Sequence, residues 1–171
     1  MKPHAPESVA SDLRQRAIRL LTRREHSCLE LARKLAGHGT EDEIIAVLSE
    51  LKAMKLQSDA RFAESYVSAN ATGLGLARLR HSLLTKGVAA ELVDAQLAAQ
   101  LSRSVQGDET ARARAVWARK FGVLPVDARD WAKQARFLQS RGFAAEVIRQ
   151  LLRDMQQDLK DARRDEAEAE T

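Results

Sequence analysis

The chain has 171 residues, 44% of them hydrophobic and 30% charged, with 28 Lys and Arg against 24 Asp and Glu. That length can bury roughly 70% of its unfolded surface, and the balance excludes both a disordered chain and a membrane-embedded one. Three Pro and eight Gly leave few turns for an all-β fold, and the single cysteine, Cys28, excludes an internal disulfide.

Leu, Ala, Arg, Gln and Glu dominate, and these are helix formers. Residues 1–10 are expected to be disordered and carry no apolar signal-peptide stretch. Helical periodicity begins near Ser11, with Ala17, Leu20 and Leu21 on one face and Arg16, Arg19 and Arg23 on another. Ser27-Cys28-Leu29-Glu30 reads as a capping box, in which Ser27 takes an orphan N–H and Glu30 reaches back. Leu31 and Leu35 line the helix it opens, which stops at Gly37-His38-Gly39. Thr40-Glu41-Asp42-Glu43 is a second capping box, ahead of Ile44, Val47, Leu48 and Leu51. Ser58-Asp59 caps a helix with Phe62 and Tyr66. Gly73-Leu74-Gly75 breaks the chain before Leu76, Leu79 and Leu83. Gly87 then separates these from Leu92, Val93 and Leu97. Gly107-Asp108 opens a segment with Val116, Trp117 and Phe121. Pro125 and Asp127 precede Trp131, Ala135 and Leu138, and a last helix carries Val147, Ile148, Leu151, Leu152 and Met155.

The segments repeat. Lys86-Gly87-Val88-Ala89-Ala90-Glu91-Leu92-Val93 recurs as Arg141-Gly142-Phe143-Ala144-Ala145-Glu146-Val147-Ile148, and a weaker copy surrounds Gly39. Gly39, Gly87 and Gly142 mark equivalent points, with Leu35, Leu83 and Leu138 four residues before each. Phe62 and Tyr66 stand where Trp117 and Phe121 stand in the next copy. A period near 50 residues predicts stacked helical units, three helices to a unit, whose usual product is a binding surface rather than a catalytic pocket. The predicted divisions are a disordered N-terminus at 1–10, repeats at 11–58, 59–107 and 108–160, and an acidic tail at 161–171.

No catalytic, cofactor or metal pattern is present. The chain lacks a Gly-rich Lys-Ser/Thr loop, a His-Glu-x-x-His and paired cysteines, and its four histidines have no ligand spacing. Its longest clean apolar run, Ile44–Leu48, is far too short for a bilayer. A non-enzymatic cytoplasmic protein without cofactors is expected. The aromatic residues Phe62, Tyr66, Trp117, Phe121 and Trp131 fall on core stripes, and Phe137 flanks a polar face. The cations are more organised. Residues 108–160 hold eleven Lys and Arg against seven Asp and Glu. Arg129, Lys133 and Arg136 share one helix face, as do Arg112 with Arg119 and Arg149 with Arg153. Arg78 and Arg80 flank Leu79, near Lys86. Aligned by the repeats, these ten residues form a candidate surface for phosphates or an acidic protein face.

Several fragments together resemble the RecX regulators of the bacterial RecA recombinase. They are Arg24-Glu25-His26-Ser27 with Glu30-Leu31 and Lys34-Leu35, Asp59-Ala60-Arg61-Phe62-Ala63 with Tyr66-Val67, and Gly73-Leu74-Gly75 with Arg78, Leu83 and Lys86-Gly87-Val88. The resemblance spans residues 17–97, with the third repeat similar in length and pattern. Leu76 replaces the family's usual Pro, Ser82 its frequent Glu, and a basic residue common near Asn70 is missing. The resemblance implies an all-α, elongated and curved array of three three-helix units, acting as a monomer. It implies DNA repair and SOS-response regulation: binding to the RecA–DNA filament, with reduced ATPase, strand-exchange and co-protease activity. Single- or double-stranded DNA is a possible further partner through the basic surface. The rivals are a direct DNA-binding helix-turn-helix protein and a helical scaffold for another protein. A recognition helix needs exposed Arg, Asn or Gln at base edges, and here the helices after Gly39 and Gly87 open with acidic or bland residues.

Overall fold

The structure, a computed structural model, describes residues 6–103 and 109–169. Among these residues there are nine helices and no strand: α1 Pro6–Arg23, α2 Cys28–Leu35, α3 Glu41–Ala53, α4 Asp59–Asn70, α5 Leu76–Thr85, α6 Ala90–Arg103, α7 Glu109–Lys120, α8 Ala128–Ser140 and α9 Ala145–Ala169. The all-helical expectation holds. Two boundaries differ from it. α1 starts at Pro6, where proline costs no helical hydrogen bond, so residues 6–10 are helical rather than disordered, and Val9 and Ala10 pack on the core. α9 continues to Ala169, so most of the acidic tail extends repeat three. The Gly107-Asp108 opening lies outside the described residues.

Side-chain caps account for several helix starts. Thr40 and Glu43 form the reciprocal capping box on α3, with Thr40 N donating to Glu43 at 2.8 Å. Ser27 caps α2 by accepting from Glu30 N at 3.0 Å. The second half of that predicted box is absent, because the Glu30 carboxylate is drawn instead to Lys86, Arg24 and His26. Asp127 caps α8, accepting from Asp130 N at 2.7 Å.

The chain falls into two compact units, residues 1–69 with 80–99 and residues 70–79 with 100–171. In the first, α1–α3 enclose Leu13, Ala17, Leu31, Leu35, Ile44, Val47, Leu48 and Leu51. Phe62, Val67, Leu83, Val93 and Leu97 are buried as well, whereas Leu92 of the predicted stripe is exposed. In the second, α7–α9 surround Val116, Trp117, Leu138, Phe143, Ile148, Leu151, Leu152 and Met155. The Trp117 indole Nε1–H donates to the buried Gln134 amide oxygen at 2.6 Å, and Gln134 donates onward to the Val123 carbonyl at 3.1 Å. This satisfies both polar groups inside the core. Trp131 departs from expectation. It lies in the first turn of α8, ahead of the packed part of the helix, and is 38% exposed, while Gln134 takes the inward place. Phe137 is half-buried, edge-on to Phe121 at 5.3 Å with the Arg141 guanidinium 5.2 Å from its ring.

The repeat survives with one correction. Leu35, Leu83 and Leu138 are all fully buried, Phe62 and Trp117 are both buried, and Tyr66 and Phe121 are both half-buried. The third helices start alike, with Ile44, Val93 and Ile148 donating to Thr40, Ala89 and Ala144. This places Ile44, nine residues after Leu35, against partners ten residues after theirs. At these three turns the left-handed glycines are Gly37, Gly87 and Gly142, not Gly39. The first turn is therefore one residue shorter, and it is Ile45, paired with Val93 by spacing from glycine, that points to solvent. Gly39 has a different reason to be glycine, since a Cβ there would lie 2.8 Å from Leu13.

Each unit contains the same kind of joint: the start of a second helix lies on the glycine turn of the following repeat. In the first unit, Ser27 Oγ donates to the Lys86 carbonyl at 2.6 Å, and a Cβ on Gly87 would meet Leu29 at 2.6 Å. In the second, Gly75 N donates to the Arg141 carbonyl at 2.9 Å, and a Cβ on Gly75 would lie 2.3 Å from the Gly142 oxygen. Two backbones in contact cannot yield as a side chain can. Gly75→Ala is thus expected to cost about 1–3 kcal/mol in a thermal or urea melt. Gly73→Ala, whose nearest neighbour would be a carbonyl at 3.9 Å, should not depend on such a clash and serves as the control.

Candidate functional site

The polar side of the first joint is built on Glu30. Its carboxylate accepts from Lys86 Nζ at 2.6 Å, Arg24 Nη1 at 3.0 Å and the buried His26 ring at 3.2 Å. Lys86 also lies 5.5 Å from the centre of the Tyr66 ring. Burial acts to raise the Glu30 carboxyl, but hydrogen bonds and charge from Lys86 and Arg24 outweigh it and bring the pKa down to about 2. His26 is lowered, first by burial and then by the Arg24 charge. Both shifts have the same sign for stability. A depressed Glu30 stabilises the fold above the unfolded carboxyl range near 4.5 and loses that contribution as pH falls toward 2. A depressed His26 disfavours the folded state once the unfolded imidazole protonates below 6.5. Urea midpoints are expected to fall in acid, with the Glu30 part amounting to on the order of 2 kcal/mol after allowance for solvent around Arg24 and Lys86. Glu30→Gln should be less stable at pH 7 and show a smaller slope below pH 4.5. A wild-type midpoint flat from pH 7 to 3 would contradict this.

The ten candidate cations divide into two groups. Five are engaged within the fold. Besides Lys86, Arg80 pairs with Asp94 at 2.9 Å and Arg149 with Glu146 at 2.5 Å. Arg112 donates to the Ala71 carbonyl at 3.5 Å and Arg119 to the Thr72 carbonyl at 3.0 Å, so both clasp the α4–α5 loop. The other five, Arg78, Arg129, Lys133, Arg136 and Arg153, are exposed and make no ion pair among the described residues. Arg129, Lys133 and Arg136 form the predicted stripe on α8, facing away from buried Gln134 and Leu138.

A second basic surface lies in the first unit. Arg16, Arg19 and Arg23 of α1, with Lys34 and His38 from the end of α2, line an open cleft of about 320 Å³ whose apolar lining is Leu20 and Leu35. The i, i+3, i+7 arginine spacing was visible in the sequence; the contribution of α2 was not. Among the described residues no group of His, Cys, Asp or Glu could hold a metal ion, and no helix is long and apolar enough to cross a membrane.

Three domain descriptions match in order: RecX first three-helix domain at residues 14–50, second at 58–97 and third at 107–152. The chain belongs to the RecX family. It is 47% identical over 142 residues to the regulatory protein RecX of Leptothrix cholodnii, covering 82% of this chain and 87% of that one. It is 44% identical over 141 residues to that of Chromobacterium violaceum, covering 82% and 88%. Among solved structures, a RecX regulatory protein superposes with a TM-score of 0.71 at 20% identity, over 87% of this chain and 73% of the other. RecX from Lactobacillus salivarius gives 0.67 at 18% identity, over 86% and 97%. The fold of this RecX family member is thus seen in solved relatives, and the matches reach repeat three, where the sequence resemblance had few motif residues.

Proposed function

We propose that this RecX family member regulates homologous recombination by binding the RecA–DNA filament and lowering its ATPase, strand-exchange and co-protease activities, with no enzymatic activity of its own. The observation that carries this reading is the ordered match of all three family domains, with relatives named as regulatory proteins. A ligand that binds two filament states unequally shifts the balance between them. Stacked helical units suit that task, because they present a broad surface rather than a pocket. The exposed stripe Arg129, Lys133 and Arg136 is the leading contact, and Arg78 and Arg153 are the other candidates open to a partner. The helix-turn-helix reading is weaker, because α3 opens with Glu41, Asp42 and Glu43, which repel a DNA groove.

The test is RecA ATP hydrolysis on single-stranded DNA with and without this protein. Sub-stoichiometric inhibition is expected, and no hydrolysis by the protein alone. An unchanged rate at large molar excess would overturn the reading in favour of a scaffold for a different partner.

A further inference from the structure

We infer that the cleft between the end of α3 and the starts of α4 and α6 binds the C-terminal carboxylate of a peptide chain together with that chain's last amide N–H. The cleft holds about 460 Å³, within the roughly 300–1,000 Å³ of small-ligand sites, and the residues lining it all belong to the first compact unit. Gln57 lines it yet is only 2% exposed. The Gln57 amide Nε2 donates to Asp59 Oδ1 at 2.9 Å and to the His26 carbonyl at 3.3 Å. Both partners are acceptors, so the amide cannot be turned over. That leaves Oε1 as what Gln57 offers the cleft, and this oxygen is buried with no hydrogen-bond partner among the described residues. An unmet buried acceptor costs free energy, which a donor arriving in the cleft recovers.

The surrounding charge asks for an anion beside that donor. Lys52 and Lys55 line the cleft, exposed and without an ion pair among the described residues. Arg61 is already committed, with Nε on Glu25 at 2.8 Å and Nη2 on the Leu56 carbonyl at 3.0 Å. Asp59 is the carboxylate of the lining, and its Oδ1 is taken by the Cys28 and Gln57 N–H groups. The positive ends of two helices meet here as well. α6 starts at Ala89, which accepts from Val93 N through its backbone and has no side-chain cap to offer. Few anions bring a donor with them. A phosphodiester backbone has none, and a phosphate monoester, with a second pKa of about 6, has largely lost its proton at pH 7. A free amino acid brings an ammonium that Lys52 and Lys55 repel. A chain end supplies a carboxylate for the lysines and helix starts and a neutral peptide N–H for Gln57. Leu92, Ala60 and Ala89 favour an apolar last side chain. This contact needs no recombinase, so it stands or falls separately from filament regulation.

The experiment is an NMR titration of the isotope-labelled full chain, with no other protein, using N-acetyl-alanyl-leucine as the probe. Binding is expected at roughly 0.1–1 mM, ordinary for a ligand this small, with the largest shifts at the Gln57 side-chain amide and at Ala60, Ala89 and Leu92. Two altered probes separate the two halves of the site without touching the fold. The C-terminal amide, which lacks the charge, and the peptide N-methylated at its last residue, which lacks the donor, should each bind about 10-fold more weakly. Lys52→Gln/Lys55→Gln should lose affinity for the carboxylate probe by about the same factor and become indifferent to its amidation. Its circular dichroism should match wild type, since both lysines are exposed. No shifts at the cleft with the carboxylate probe would overturn the proposal. Equal binding of the N-methylated probe would overturn it too, because Gln57 would then take no part. So would displacement of the probe by an equal concentration of inorganic phosphate, which would make the cleft a site for simple anions.

Discussion

Trp117→Ala is expected to destabilise the second unit by about 3–5 kcal/mol, read from urea or thermal unfolding by circular dichroism. Two losses combine. Trp117 is among the largest buried side chains of the α7–α9 core, packed with Leu138, Phe143 and Leu151, and its removal leaves a cavity that the surrounding helices close only in part. The variant also strands the Gln134 amide oxygen, which is buried and accepts the indole N–H at 2.6 Å. Trp117→Phe separates these effects, because it keeps most of the packing and loses the hydrogen bond. Its cost should be smaller, about 1–3 kcal/mol. A Trp117→Ala midpoint equal to wild type would show that the side chain does not hold the unit together.

Charge reversal along α8 is expected to weaken filament inhibition by roughly 100-fold at low salt, with helical content unchanged. The variant is Arg129→Glu/Lys133→Glu/Arg136→Glu. Its folding is protected because the core contacts of α8 come from Gln134 and Leu138 on the other side. A glutamate at 129, in the first turn, also suits the helix dipole. If the stripe meets phosphates or acidic side chains, the variant should lose both affinity and salt dependence. The readout is inhibition of RecA ATPase by wild type and variant at two salt concentrations. Equal inhibition with an equal salt response would reduce the stripe to a solvated face, and the contact would then be sought on α1.

Most of the fold was legible because helical repeats are local objects. Capping residues, glycine turns and apolar spacing all act within about ten residues, so Thr40 with Glu43, Ser58, Asp127, Gly87 and Gly142 could be read in place. Buried aliphatics recurred at helical spacing, and Phe62 with Tyr66 correctly forecast the roles of Trp117 and Phe121. The failures came where distance along the chain stopped measuring distance in space. Gly39 matched the repeat by spacing, yet the turn before it is one residue shorter, and only the backbone shows Gly37 as the left-handed residue. Trp131 sat on the right stripe but one turn beyond the core that would have covered it.

By itself, the sequence determined the class of the protein, its triple repeat, its family resemblance and its cationic character. Those follow from composition and short-range pattern. The tertiary structure decided which charges remain available. Glu30 looked like the second half of a cap until Lys86, 56 residues away, claimed it. Arg112 and Arg119 looked like part of a binding face until the α4–α5 loop presented its carbonyls to them. Lys34 and His38 joined the three arginines of α1 only when α2 turned back beside it. A charge is a property of one residue, but whether it is neutralised, spent on a carbonyl or left facing solvent depends on partners that folding brings from elsewhere in the chain.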